Sequence, residues 1–167
     1  MDHTLREWVR LGEKCGLAQA ALDAQAKETR MDRTHIRQVM LAHWHDMQSA
    51  IRTGLEPGLR SVSGLSGGQA VKLLNRMQEG KSLCGTLLGK AEAYALATAE
   101  CNACMGKIVA APTAGACGIL PGLLQALAEE RNFQEDALVD ALFVAAAVGE
   151  SIASQASISG AEGGCQA

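Results

Sequence analysis

From Asp32 to Gly54, the residues Ile36, Val39, Met40, Trp44, Met47 and Ile51 recur with helical spacing, and most of the residues between them are polar. A stripe of this kind buries along one face of an α-helix and scatters over both faces of a strand. Asp32 is a good N-cap for that helix, and Gly54 is a natural stop. The same logic extends in both directions. Leu5, Trp8 and Val9 begin a short helix closed near Cys15 and Gly16, and Leu17 to about Met31 reads as a second one. Further helices are expected over Gln69–Glu79, from about Thr86 to Met105, from a first turn containing Pro121 to about Asn132, and over Glu135–Ser154. In the last of these, Leu138, Leu142, Ala145, Gly149 and Ile152 share a face.

Hydrophobic residues make up 48% of the 167-residue chain but aromatic residues only 3%, so burial must come from Ala, Leu, Val and Ile. Small aliphatic side chains suit closely packed helices better than strands. The expected fold class is therefore all-α, one helical domain with glycine-rich interhelical loops forming the site. Within it, residues 1–53 form an N-terminal helical group and residues 54–167 a glycine-loop region.

The loops carry the chemistry. "SVSGLSGG" (Ser61 to Gly68), "APTAGACG" (Ala111 to Gly118) and "ASISGAEGGC" (Ala156 to Cys165) are rich in glycine and almost free of charge. Backbone N–H groups in such turns, leading into helix N-termini, can hold a carboxylate or phosphate without a lysine. That matters because from Cys101 onward the cations are Lys107 and Arg131 alone, against seven acidic residues. A net charge of -3 without a basic cluster argues against nucleic-acid binding. "GACGILPG" lacks the Gly-Lys-Ser/Thr ending of a phosphate-binding loop, and no Gly-x-Ser-x-Gly turn marks a serine hydrolase. His43 and His45 point to different faces of their helix, and His3 and His35 stand apart, so structural roles are expected for all of them.

The chain opens with charges scattered among apolar residues, unlike a secretory signal, and the uncharged run Ile108–Ala128 is broken by Pro112, Gly115, Gly118, Pro121 and Gly122. A cytoplasmic protein with no membrane partner is expected. Its six cysteines then read as thiols or metal ligands. Cys101 and Cys104 form a CxxC, and with Cys117 and Cys165 they could bind zinc. Cysteines three apart near a helix end are more often packing residues.

"NACMGKIVAAPTAGACGILPGLL" (Asn102 to Leu124) and "AAAVGESIASQASISGAEGGCQA" (Ala145 to Ala167) closely resemble the α chain of the iron-sulfur-dependent bacterial L-serine dehydratases, as does "RSVSGLSGGQAVKLL" (Arg60 to Leu74). The resemblance covers nearly the whole chain, and its starting point matches the two-chain type, in which the β subunit is separate. It implies an L-serine ammonia-lyase of serine catabolism and gluconeogenesis, removing water and then ammonia from L-serine to leave pyruvate. It also implies a 4Fe-4S cluster on three cysteines, with one iron open as a Lewis acid for the substrate hydroxyl. Cys165 matches a cluster cysteine. Thr113, Ala114, Gly115 and Cys117 match the loop facing the substrate, with Asn102, Ser157 and Ser159 beside it and Ser61, Ser63 and Gly67 in the earlier glycine loop. Lys72 is a conceivable carboxylate partner or base, and the group that takes the Cα proton stays unassigned.

This sequence departs from the family in two places. Cys104 stands where the family often has Ser or Ala, and the family's other two cluster cysteines lie beyond the "GGCQA" at which the chain stops. These 167 residues are thus expected to be an N-terminal portion of the α chain, inactive alone, without an intact cluster, and prone to self-association through uncovered apolar surface. The competing readings are a small helical anion-binding or assembly protein without metal, and a thiol-ligated zinc module.

Overall fold

Asp32 caps as its position predicts: its carboxylate accepts from the Thr34 N–H at 2.9 Å and opens a helix over Arg33–Gly54. In the computed structural model, which describes residues 3–156, that helix is α3. The others are α1 (Leu5–Cys15), α2 (Leu17–Thr29), α4 (Gln69–Gln78), α5 (Gly85–Ala103), α6 (Ile119–Arg131) and α7 (Glu135–Ala153). The described residues form seven helices and no strand, as an all-α fold requires. None of these helices is long and apolar enough to cross a membrane.

The chain divides into two compact units, and the border falls inside α3 after Ala42. In the first unit, α1, α2 and the start of α3 take α7 as their partner. Trp8, Leu22, Ile36, Val139, Phe143 and Ala147 fill its core. Burying each large side chain there stabilises the unit by roughly 1.5 to 3 kcal/mol before entropy is counted. α1 starts at a capping box, in which the Thr4 hydroxyl accepts from the Glu7 N–H and the Glu7 carboxylate accepts from the Thr4 N–H at 2.8 Å. Arg37 of α3 donates to Asp140 at 2.6 Å and to Asp136 at 3.1 Å, tying α3 to α7.

The second unit, His43–Phe133, is built around α5. Gly89, Ala91, Ala93, Ala97, Thr98 and Cys101 are all buried, so α5 is covered on several sides rather than along one stripe. Its small side chains let neighbouring backbones come close. A Cβ on Gly122 of α6 would lie 2.6 Å from the Ala95 nitrogen and 2.7 Å from the Ala91 oxygen, and one on Gly118 would collide with the Ala95 carbonyl. This backbone-to-backbone contact between α5 and α6 is what a core poor in aromatics makes possible. Ile51 of α3, Ala70 of α4, Ala91, Tyr94 and Ala97 of α5 and Ala126 of α6 form its core, and Trp44 and Met47 on α3 are buried as well.

Candidate functional site

Two of the three glycine loops meet at the last turn of α5. That turn closes in the geometry of a Schellman motif: Gly106 N–H donates to the Cys101 carbonyl at 2.9 Å and Met105 N–H to the Asn102 carbonyl at 3.0 Å. Met105 has φ 62°, the left-handed conformation that glycine usually fills at this position.

The first loop, residues 61–68, is held by its own serines and by α5. Ser61 N–H donates to the Ser66 carbonyl at 2.9 Å, the Ser66 N–H donates to Ser61 Oγ at 3.2 Å, and the Ser61 and Ser63 hydroxyls lie 3.1 Å apart. Ser61 is buried and its hydroxyl is spent inside the loop, whereas Ser63 is exposed. Gly67 is buried at φ 134°, and a Cβ there would run into the Leu59 carbonyl, so the position admits only glycine. The loop docks on α5 through Val62 N–H to the Ala103 carbonyl at 3.3 Å and through the Cys104 thiol, which donates to the Arg60 carbonyl at 2.8 Å.

The N-terminus of α4 is not open to an external anion. Glu100, 5% exposed, reaches across from α5 and accepts from Gly68 N–H at 3.0 Å, Gln69 N–H at 2.7 Å and Ala70 N–H at 3.4 Å. The anion expected at this glycine loop is thus supplied by the protein itself. Sequence reasoning passed over Glu100, although an acidic residue inside the apolar stretch "ALATAECNA" was a usable signal. Beside the loop, Arg60 and exposed Lys72 line an open depression of about 260 Å³, and the Arg60 guanidinium donates to the Gly67 carbonyl at 3.2 Å.

The second loop, residues 111–118, is joined to the same turn by Asn102, whose side-chain amide donates to the Ala114 carbonyl at 3.4 Å. Within it, Ala116 N–H donates to Thr113 Oγ1 at 3.3 Å and to the Thr113 carbonyl at 3.2 Å. Thr113, Ala114 and Gly115 are exposed, and the Thr113 and Ala114 carbonyls are taken up inside the loop and by Asn102. Cys117 is only 1% exposed and lies beneath the loop. The structure therefore brings Asn102, Thr113, Ala114, Gly115, Ser61, Ser63 and Gly67 around one helix end. Ser157, Ser159 and Cys165 lie outside the described residues.

Among the described residues no group of three or more His, Cys, Asp or Glu side chains is placed to hold a metal ion. Burial pushes the Cys101 thiol up, with Cys104, Cys117 and Glu56 adding to it, and burial does the same to Cys117. The zinc reading needs four converging thiolates; Cys101, Cys104 and Cys117 are not so grouped among the described residues, and Cys165, the fourth of that set, lies outside them. Elsewhere in this unit Glu129 accepts from Tyr94 at 2.9 Å, Lys90 at 3.0 Å and Gln125 at 2.9 Å, beside a cavity of about 140 Å³.

The amino-acid sequence has known relatives. Residues 12–167 match the family model described as serine dehydratase alpha chain. The probable L-serine dehydratase alpha chain of Bacillus subtilis (strain 168) is 50% identical over 72% of this chain and 40% of its own length. The L-serine dehydratase alpha chain of Peptoniphilus asaccharolyticus is 34% identical over 100% of this chain and 58% of its own. The L-serine dehydratase of Streptomyces coelicolor is 35% identical over 96% of this chain and 36% of its own. The chain thus spans between about a third and three fifths of these relatives. No solved structure matches it.

Proposed function

Because the chain belongs to the serine dehydratase alpha chain family, we propose that it forms the part of an L-serine dehydratase α chain that seats the substrate at the C-terminal end of α5. The convergence of both described glycine loops on one turn of that helix, through Val62, Cys104 and Asn102, is the observation that carries this reading. The exposed backbone of Thr113–Gly115 receives the serine carboxylate, Asn102 fixes that loop from behind, and Ser63 lies on the neighbouring loop. The family resemblance adds Ser157 and Ser159, which lie outside the described residues, to the substrate-binding set.

The reaction is dehydration and deamination of L-serine to pyruvate and ammonia, and it runs in an assembly with a separate β subunit in the cytoplasm. Its obstacle is a poor leaving group on Cβ, and a 4Fe-4S cluster supplies a Lewis acid for that hydroxyl when bound. The resemblance puts one cluster ligand at Cys165. The described cysteines do not fit such a group, because Cys101 and Cys117 are buried thiols and Cys104 donates its proton to a carbonyl. The described residues act by binding and orienting the substrate and by holding the two loops in register, which is where proximity contributes to rate.

The test uses the full-length α chain with its partner chain, assayed anaerobically for pyruvate formed from L-serine. Asn102→Ala and Thr113→Ala each remove one neutral hydrogen bond that holds the substrate loop, to Ala114 and from Ala116 respectively, and should each raise KM by about three- to tenfold. No pyruvate from the wild-type assembly, or an unchanged KM in both variants, would overturn the assignment.

A further inference from the structure

We propose that Glu100 is a positioning residue: it clamps the first glycine loop to α5 and occupies the anion seat at the start of α4, leaving the second loop to receive the substrate carboxylate. This rests on the reading above for the identity of the substrate, but the clamp itself stands on geometry.

Glu100 lies in the last turn of α5, where the partial negative charge of the helix end disfavours a carboxylate. It is also 5% exposed, and a buried carboxylate is costly unless its oxygens are satisfied. Neither its own helix nor solvent explains it. What does is the N-terminus of α4, whose three converging N–H groups from Gly68, Gln69 and Ala70 it accepts. The charge that is unfavourable on α5 is favourable on α4, so the residue acts between the two helices.

The consequence falls on the loop between them. Residues 61–68 are attached to α5 at their start, through Val62 N–H on Ala103 and Cys104 on Arg60, and at their end, through Glu100 on Gly68. One turn of α5 therefore fixes both ends of the first loop, and the same turn holds the second loop through Asn102. The spacing of the two loops follows from that turn. With the α4 seat already filled by Glu100, the Gly68, Gln69 and Ala70 N–H groups are spent, and the exposed second loop stays available to an incoming carboxylate.

Glu100→Ala leaves three unsatisfied N–H groups around a space the size of a carboxylate, a gap that formate fits. In this chain, amide exchange at Gly68, Gln69 and Ala70 should accelerate by about tenfold or more in Glu100→Ala, while amides in α6 hold their rates. Added formate should slow those three amides again, and equal chloride should not. In the assembled full-length enzyme the same variant should raise KM for L-serine by about tenfold with kcat within about threefold, a split that loss of folded protein would not produce. If Glu100→Ala does not fold, Glu100→Gln, which keeps the shape and loses the charge, should accelerate exchange at Gly68 in the same manner. Unchanged exchange at Gly68–Ala70, or formate with no effect on it, overturns the clamp. An unchanged KM overturns its role in placing substrate. A wild-type assembly that makes no pyruvate refutes the functional reading instead, and the exchange and formate measurements still decide the clamp.

Discussion

Adding one methyl group to a helical glycine should have opposite effects at two places in this protein. At Gly122, a Cβ would sit 2.6 Å from the Ala95 nitrogen and 2.7 Å from the Ala91 oxygen, and both atoms belong to the backbone of a buried helix. They cannot rotate away, so α6 has to move outward by about 1 Å to restore ordinary contact near 3.5 Å. Overpacking of this kind costs about 1 to 3 kcal/mol, and rigid backbone neighbours put Gly122→Ala at the upper end. Replacing glycine by alanine inside a helix returns about 1 kcal/mol, which leaves a net loss of about 2 kcal/mol. At Gly149 of α7 a Cβ meets nothing within 4 Å among the described residues. There the helix-propensity gain stands alone, so Gly149→Ala should stabilise by about 0.5 to 1 kcal/mol. Thermal unfolding followed by far-ultraviolet circular dichroism, with urea titration of the buried Trp8 and Trp44 fluorescence, measures both. For a chain of this size, Tm should fall by roughly 4 to 8 °C in Gly122→Ala and rise by roughly 1 to 4 °C in Gly149→Ala. A Gly122→Ala variant as stable as the wild type, or shifts of the same sign in both, would refute close backbone contact between α5 and α6 as the organising feature of the second unit.

Glu129 predicts the shape of the acid limb of stability. Burial raises its carboxyl pKa, but donation from Gln125, Lys90 and Tyr94 outweighs burial and holds it below the usual value. Such a group contributes stability above the unfolded-state value that is lost as pH falls through the folded-state value, so urea midpoints should drop between about pH 5 and pH 3 and drop less in Glu129→Gln. Cys101 and Cys117 are buried with their thiols pushed up, whereas Cys15 and Cys84 are exposed. At about pH 8, iodoacetamide should label the exposed pair at least tenfold faster by peptide mass spectrometry, and equal rates would contradict the burial. Val62, Leu65 and Met105 are 78%, 91% and 83% exposed around the end of α5. Sedimentation at rising concentration should show self-association that Leu65→Ser with Met105→Ser weakens, and a wild-type chain that stays monomeric throughout would count against it.

The helices were legible because their signals are local. Asp32 caps α3 with a side chain two residues from the amide it serves, Gly54 ends it, and Pro121 falls in the first turn of α6, each within a residue or two of the expected boundary. The glycine loops were legible too, since their composition suits neither helix nor strand. The candidate site was legible only in part: the resemblance pointed to Thr113–Gly115 and Cys117 in one loop and Ser61 in another, and the structure leaves Thr113–Gly115 exposed but puts Cys117 beneath its loop and turns the Ser61 hydroxyl inward.

What the sequence determined by itself was the set of helices, their ends and the kind of loop between them, because periodicity and capping act over three or four residues. The tertiary structure decided which surfaces meet. It brought α7 back onto α1 and α2, set Arg37 between Asp136 and Asp140, and carried the Glu100 carboxylate to Gly68, more than thirty residues away in the chain. Those pairings depend on which small-residue faces can approach closely enough to exclude water and which buried charges then find donors. Neither condition exists until the helices are packed.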